Sequence, residues 1–108
     1  MTKLDETLLN EMTTRLVQTF QPDQVILFGS HAWGTPDEGS DIDLYVIVPE
    51  SSERPVQRAR RALACLAGLR VAKDVLVRTR AEAEKFRHVY ASLECQVFEK
   101  GRVLYERH

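Results

Sequence analysis

Two aspartates, Asp41 and Asp43, are the residues of this 108-residue chain whose type and spacing point most directly to chemistry. They stand in the run Ser40-Asp41-Ile42-Asp43-Leu44, and in a strand a spacing of two puts both side chains on one face. Two neighbouring carboxylates repel each other, and a divalent cation would stabilise them. Oxygen ligands favour magnesium, with manganese as an alternative. A pair of solvent-facing aspartates on an exposed strand is the other interpretation, and it requires no metal.

A third carboxylate, Asp74, lies in the largely apolar run Val71–Val77, which predicts a strand. A single carboxylate is costly to bury there unless it converges on the same cation as the other two. Three strand-borne carboxylates could then hold two metal ions. A salt bridge between Asp74 and Lys73, or a nearby arginine, is the alternative.

The dipeptide Gly29-Ser30 directly follows the β-rich run Val25–Phe28. A glycine turn with a small hydroxyl lets backbone N–H groups approach phosphate oxygens without steric obstruction. No lysine follows at Walker A spacing, and the chain has no G-x-G-x-x-G fingerprint. The turn therefore does not indicate a P-loop or a Rossmann site.

The elements that must position these residues follow from the spacing of apolar positions and from the turn residues. Predicted helices cover about Leu4–Phe20, about Ser52–Leu69, a segment starting at the Thr79/Glu82 capping box, and about Ser92–Lys100 with Gly101 at its end. Predicted strands cover Val25–Phe28, Asp41–Val48 and Val71–Val77, with Val103–Tyr105 as an edge strand or packing segment. A polar loop joins Ser30 to Asp41. In the helix after Thr79 we expect Ala83, Phe86 and Tyr90 to face inward, and in the helix before it we expect Arg54, Arg58, Arg60 and Arg61 to form a solvated face.

This order predicts an α+β fold in which a small mixed sheet of about three core strands packs against helices. The length fits one domain over residues 1–108. The two strands that flank the polar loop are close in sequence, which suits a hairpin connection better than a full crossover.

Net charge and the length of the apolar runs argue against two classes of function, nucleic-acid binding and membrane insertion. The formal net charge is −1, which lacks the basic footprint of a general nucleic-acid binder, so direct nucleic-acid binding is disfavoured. The longest apolar run is far shorter than the roughly 20 residues of a membrane-spanning helix, and the N-terminus has no signal-peptide pattern. We therefore expect a cytoplasmic protein without membrane contact, in which Cys65 and Cys95 are reduced, partly buried thiols.

The combination of these motifs resembles a known family. Phe28-Gly29-Ser30, ten intervening residues, and then Asp41-Ile42-Asp43-Leu44, with Asp74 on a later strand, are similar to the nucleotidyltransferase superfamily typified by DNA polymerase beta. Within it, the short chain resembles the minimal nucleotidyltransferases that are often paired with HEPN-domain proteins in prokaryotic toxin–antitoxin modules. The C-terminal run Glu99–Arg107 is similar to the usual end of that family.

The resemblance implies roles for individual residues. Asp41 and Asp43 would bind both of two magnesium ions, and Asp74 would complete the site of the ion that activates the attacking hydroxyl. Gly29 and Ser30 would hold the β- and γ-phosphates, and Ser40 would belong to the nucleotide-binding group. Many relatives carry arginine at the position of Trp33, so a basic contact to phosphate or acceptor is either missing or supplied from elsewhere, for instance near Arg58 and Arg61. Trp33 itself either stacks on a base or a partner or anchors the loop to the core.

The resemblance also implies an activity: magnesium-dependent transfer of a nucleoside monophosphate, AMP from ATP, to a hydroxyl acceptor. A tyrosine of a HEPN-type toxin is the favoured acceptor, which would make the chain an antitoxin. The implied partner is that helical HEPN-type protein, and a homo- or hetero-oligomer would cover an open cleft. Two alternatives remain: a non-catalytic subunit that binds a helical partner, and a small-molecule transferase of the antibiotic-modifying type.

Overall fold

The computed structural model of the chain describes residues 5–34 and 41–107. Helices α1 to α5 and strands β1 to β4 form an α+β fold, as the sequence predicts. In chain order the elements are α1 (Glu6–Phe20), β1 (Gln24–Phe28), α2 (Ser30–Trp33), β2 (Ile42–Val48), α3 (Pro55–Cys65), β3 (Lys73–Thr79), α4 (Arg80–Arg87), α5 (Leu93–Lys100) and β4 (Arg102–Glu106).

The sheet is mixed and has four strands in the order β3-β2-β1-β4. β1 pairs antiparallel with both β2 and β4, and β2 pairs parallel with β3 through the α3 crossover. The three expected strands form the centre and one edge. Val103–Tyr105 adds the other edge as part of β4.

Helices cover both faces of the sheet. On the first face, α1 and α3 pack over alternate residues of β1, β2 and β3. On the second face, α4 and α5 pack over the remaining residues of β1 and β2, and Trp33 of α2 packs against the same cluster. Along β2, Leu44 and Val46 belong to the first face, whereas Tyr45 and Ile47 belong to the second. Asp43 alternates with Leu44, so it lies on the second face.

Helix α3 and strand β3 differ from the sequence prediction at both of their ends. Helix α3 starts at Pro55, whose fixed φ suits a first helical position, and ends at Cys65 rather than Leu69. The chain then tightens into i+3 hydrogen bonds from Leu66 to Leu63 and from Ala67 to Ala64, each 3.2 Å long. Strand β3 covers Lys73–Thr79 rather than Val71–Val77, because these seven residues are the ones that pair with β2. The change in the bounds of β3 alters which residues belong to the strand, but side chains still alternate between the two faces of the sheet.

Two residues expected in the core are on the surface. Ala83 is buried as predicted, but Phe86 is 44% exposed and Tyr90 is 94% exposed. The prediction failed for Tyr90 because α4 ends at Arg87, so the helical period does not extend to it, whereas Phe86 lies within α4 on a side that the core does not cover.

Arg58 is the opposite case: it was expected on a solvated face and is 3% exposed. Strand β3 is at the edge of the sheet, and the Arg58 guanidinium reaches from α3 to this edge, where Nη1 donates to the Val77 carbonyl at 3.0 Å. Nη1 and Nη2 also donate to the two carboxylate oxygens of Glu82 at 2.8 and 3.2 Å. This two-pronged ion pair joins α3, β3 and α4.

Across residues 5–34 and 41–107, no helix combines the length and apolar character needed to cross a membrane.

Candidate functional site

The candidate site is built at the end of β1, where the chain makes a sharp bend. Gly29 follows the last residue of β1 and has φ +76°, a conformation that residues with a side chain rarely adopt. Its carbonyl accepts hydrogen bonds from the N–H groups of Ala32 and Trp33 at 2.9 and 3.0 Å, which close the single turn of α2. The glycine therefore turns the chain directly from a buried strand into a short helix that begins at Ser30.

The Asp43 side chain is directed at this bend. Strand pairing places Asp43 opposite Phe28, one residue before Gly29. A Cβ atom built on Gly29 would collide with Asp43 Oδ2. The carboxylate thus occupies space that only a glycine leaves open.

Asp74 lies beside Asp43 on the neighbouring strand. The parallel register of β2 and β3 makes Asp43 and Asp74 direct partners, which places both side chains on the second face of the sheet. Asp74 is exposed at the beginning of β3. The cost of burying Asp74, on which the sequence argument rested, does not arise for an exposed side chain, and its position next to Asp43 agrees with the predicted grouping.

Asp41 lies one residue before β2 and is also exposed. Partial burial raises the pKa of the Asp43 carboxyl, and the negative charges of Asp74 and Asp41 raise it further, whereas His31 acts in the opposite direction. The two neighbouring carboxylates are therefore near enough to act on Asp43, and they concentrate negative charge at the Gly29 bend.

These carboxylates do not form a closed ligand cage. In the described parts of the chain, no group of three or more His, Cys, Asp or Glu side chains is arranged to hold a metal ion. Asp43 points at the bend, whereas Asp41 and Asp74 are exposed. Like charges repel and exposed side chains are well solvated, so the protein alone has no force that draws the three carboxylates together.

Three further residues were singled out from the sequence, namely Ser30, Ser40 and Trp33. Ser30 begins α2 and is half-buried beside Gly29. Ser40 lies outside the described residues. Trp33 packs against Phe28, with ring centroids 6.3 Å apart, and belongs to the cluster on the second face. Of the two predicted roles for Trp33, the structure shows the anchoring contact.

A buried polar pair beneath the site was missed by the sequence analysis. Tyr45 lies two residues after Asp43 on the same face, is fully buried, and donates a hydrogen bond from its hydroxyl to Glu94 Oε2 of α5 at 3.0 Å. The Phe28 ring meets the Tyr45 ring edge-on at 6.2 Å. The period of two along β2 could have identified Tyr45 as a neighbour of Asp43, but nothing in the sequence connects it to Glu94.

Comparison with known proteins agrees with this geometry. A protein-family model described as a nucleotidyltransferase domain matches residues 9–105. The crystal structure of a candidate nucleotidyltransferase from Sulfolobus solfataricus has a similar fold, with a TM-score of 0.65 and 20% sequence identity. That match covers 94% of this chain and 79% of the other chain. No match was found among curated proteins.

Proposed function

Because this chain belongs to the nucleotidyltransferase-domain family, we propose that it transfers AMP from ATP to a hydroxyl group with magnesium as its metal. The observation that carries the proposal is the contact between Asp43 and the Gly29 bend. In this arrangement an acidic group lies directly beside a glycine turn of the kind whose backbone N–H groups can bind phosphate oxygens. Nucleotidyl transfer needs both features at the same place, because Asp43 would help to hold a divalent cation that stabilises the charge of the triphosphate bound at the bend.

The donor set fits magnesium. Asp41, Asp43 and Asp74 offer only carboxylate oxygens, which are the hard ligands that magnesium prefers. Burial raises the pKa of Asp43 most, and the nearby charges of Asp74 and Asp41 raise it further. We assign these three aspartates to the metal site, where bound magnesium would stabilise negative charge on the reacting phosphate oxygens.

The chain's own residues supply binding and orientation. The bend at Gly29 and the Ser30 hydroxyl would hold the β- and γ-phosphates, so that the α-phosphorus is exposed to the acceptor. The acceptor oxygen forms a new bond to the α-phosphorus, the bond from that phosphorus to the bridging oxygen breaks, and pyrophosphate leaves. Asp74, on the β2–β3 side of the site, is positioned to take part in orienting the acceptor hydroxyl.

The acceptor side of the site is open. Asp41 and Asp74 are both exposed, so a group carried by a large molecule can approach the carboxylates from solvent. This favours a macromolecular acceptor over an enclosed small molecule. Together with the family resemblance, it supports a tyrosine of a HEPN-type helical protein as the acceptor, with the chain acting as the antitoxin.

The test is to incubate the purified chain with magnesium, α-labelled nucleoside triphosphates and a HEPN-type protein. We expect AMP to be attached to a tyrosine of that protein, and we expect the Asp43→Asn variant to attach none. Asp5→Asn is the matched control, because Asp5 caps α1 on the surface and asparagine caps a helix equally well. Equal transfer by wild type and Asp43→Asn would remove the proposed mechanism, and transfer of a different nucleotide would correct the substrate.

A further inference from the structure

Tyr90 is the most exposed of the large apolar or aromatic residues, with 94% of its surface accessible. It lies between α4 and α5, where the preceding Phe86 and Val89 are 44% and 51% exposed. The next residue, Ala91, has φ +61°, which is unusual for a residue with a side chain. The chain therefore accepts backbone strain of about 1 kcal/mol at the point where it presents this tyrosine to solvent.

Hydrogen bonds hold the turn in this shape. The Ser92 hydroxyl donates to the Phe86 carbonyl at 2.7 Å, and the Ser92 N–H donates to the Val89 carbonyl at 3.0 Å. The Gln96 amide donates to the Ala91 carbonyl at 3.3 Å. Strain of this kind, maintained by surrounding contacts, is more common at functional segments than in ordinary surface turns.

We propose that Tyr90 is itself an acceptor, modified with a nucleoside monophosphate by the active site of a second copy of the chain. The proposal rests on the nucleotidyl transfer proposed above and adds a substrate to it. The Tyr90 hydroxyl oxygen forms a bond to the α-phosphorus of a nucleoside triphosphate, and the bond from that phosphorus to the bridging oxygen breaks. Pyrophosphate leaves, and the phenolic proton passes to solvent.

The other two tyrosines are poorer acceptors. Tyr45 is fully buried, and its hydroxyl is occupied by the hydrogen bond to Glu94. Tyr105 is half-buried on β4 and packs against the core of the first face. Only the Tyr90 hydroxyl can enter another molecule's site without local unfolding.

The position of Tyr90 relative to α5 makes the transfer intermolecular. Glu94 and Val97 lie on the side of α5 that faces the sheet, the same sheet face that carries Asp43. Tyr90 lies against the opposite side of α5. There it lines a cleft of about 280 Å³ together with Ala91, Cys95, Gln96, Glu99 and Lys100. The helix thus separates the phenol from the sheet of its own copy.

Charge also favours this encounter. Lys85 and Arg87 shortly precede Tyr90, with Arg87 paired to Glu84 at 3.2 Å, whereas the candidate site presents the carboxylates of Asp41, Asp43 and Asp74. Complementary charges of this kind increase the rate at which two surfaces meet. Phe86 and Val89 add apolar contact area beside the phenol.

The experiment uses the full chain with magnesium and each α-labelled nucleoside triphosphate in turn, and it locates the label by peptide mass spectrometry. We expect one nucleoside monophosphate on Tyr90, loss of the label in Tyr90→Phe, and retention in the matched control Tyr105→Phe. Tyr90→Phe removes only an exposed hydroxyl, so its melting temperature should equal that of wild type. Mixing Tyr90→Phe with a tagged Asp43→Asn chain should label only the tagged chain.

Metal-dependent pyrophosphate release, measured in parallel, separates the two proposals. Release that depends on Asp43 without label on Tyr90 overturns the acceptor proposal and leaves the nucleotidyl transfer intact. Neither release nor label from the chain alone overturns the acceptor proposal, and transfer to the HEPN-type protein in the test above then decides whether the nucleotidyl transfer itself stands. Label on wild-type Tyr90 but none on the tagged Asp43→Asn chain would show transfer within one copy and overturn the intermolecular assignment.

Discussion

The carboxylate of Asp43 fills the space beside Gly29 that a side chain would otherwise occupy. Glycine is required there for two separate reasons, namely the positive φ of the bend and the close approach of Asp43. This contact packs the bend at Gly29 against Asp43 of β2. The two reasons for glycine can be tested separately by experiment.

Gly29→Ala should abolish most activity, because the new methyl group displaces the Asp43 carboxylate. Misplacement of a reacting group by about 1 Å costs on the order of 100-fold in rate. Gly68→Ala is the matched control: Gly68 has φ +89° but no atom within 4 Å of an added Cβ. It should lose about 1 kcal/mol of unfolding free energy and keep its activity. Steady-state rates and thermal denaturation of both variants test this, and equal activity loss in the two would assign the effect to backbone strain.

Asp43→Asn should stabilise the metal-free protein at neutral pH while it removes activity. Burial and the charges of Asp74 and Asp41 raise the Asp43 pKa above 3.8, so ionisation of this group opposes folding. Its cost is absent below pH 3.8 and appears as the pH rises through the raised pKa. The melting temperature at pH 7 should therefore be higher in the variant. Magnesium should raise the melting temperature of wild type and leave the variant unchanged, because a ligand that binds only the folded state stabilises it.

The Arg58–Glu82 pair predicts an acid-sensitive stability. Hydrogen bonds from Arg58 lower the pKa of the Glu82 carboxyl from 4.5 to about 2. The lowered pKa contributes stability that is fully present above pH 4.5 and is lost as the pH falls towards 2. Glu82→Gln should remove this dependence in a series of denaturant titrations across that pH range.

Substitutions of Glu82 and of Arg58 should lower the free energy of unfolding by different amounts. Glu82→Gln leaves the charge of a 3% exposed arginine unpaired and should cost about 3 kcal/mol. Arg58→Met should cost less, because the side chain of Glu82 is 37% exposed and water can solvate its carboxylate. Urea unfolding of both variants at pH 7 shows which substitution costs more free energy of unfolding. A larger loss in Arg58→Met would mean that the aliphatic packing of Arg58, rather than its charge, dominates.

Trp33 should act as an anchor for α2. Its ring packs on Phe28 at 6.3 Å, so Trp33→Ala should lose about 2 kcal/mol of unfolding free energy. Trp33→Phe should keep most of this stability and bind nucleotide as wild type does, in titrations with magnesium and ATP. Weaker nucleotide binding by Trp33→Phe at unchanged stability would instead indicate stacking on the base.

Much of the site could be expected from local sequence. Gly29-Ser30 after an apolar run predicts a bend after a strand, and the period of two predicts Asp41 and Asp43 on one face. The Thr79/Glu82 capping box and the end of α5 at Gly101 are also local features, because capping depends on residues a few positions apart. The structure agrees with the bend, the capping box and the helix end, whereas β2 begins at Ile42 and the shared face of Asp41 and Asp43 stays a prediction.

Residues whose environment depends on distant elements were predicted less well. Arg58 looked like part of a solvated face because its helix is rich in arginine, and only the packing of α3 beside the edge of β3 buries it against Glu82. Tyr90 followed the helical period, which cannot show that α4 ends at Arg87. The run around Asp74 is largely apolar, and its sequence does not show that Asp74 is exposed near the start of β3.

The sequence by itself determined the acidic pair, the glycine bend and the alternation that points the strands' side chains, because each depends on backbone geometry over a few residues. Only the tertiary structure decided that Asp74 lies beside Asp43, that Arg58 is buried and that Tyr90 faces solvent. These outcomes depend on strand register and helix packing between segments far apart in the chain, and such contacts leave no periodic signal in the sequence.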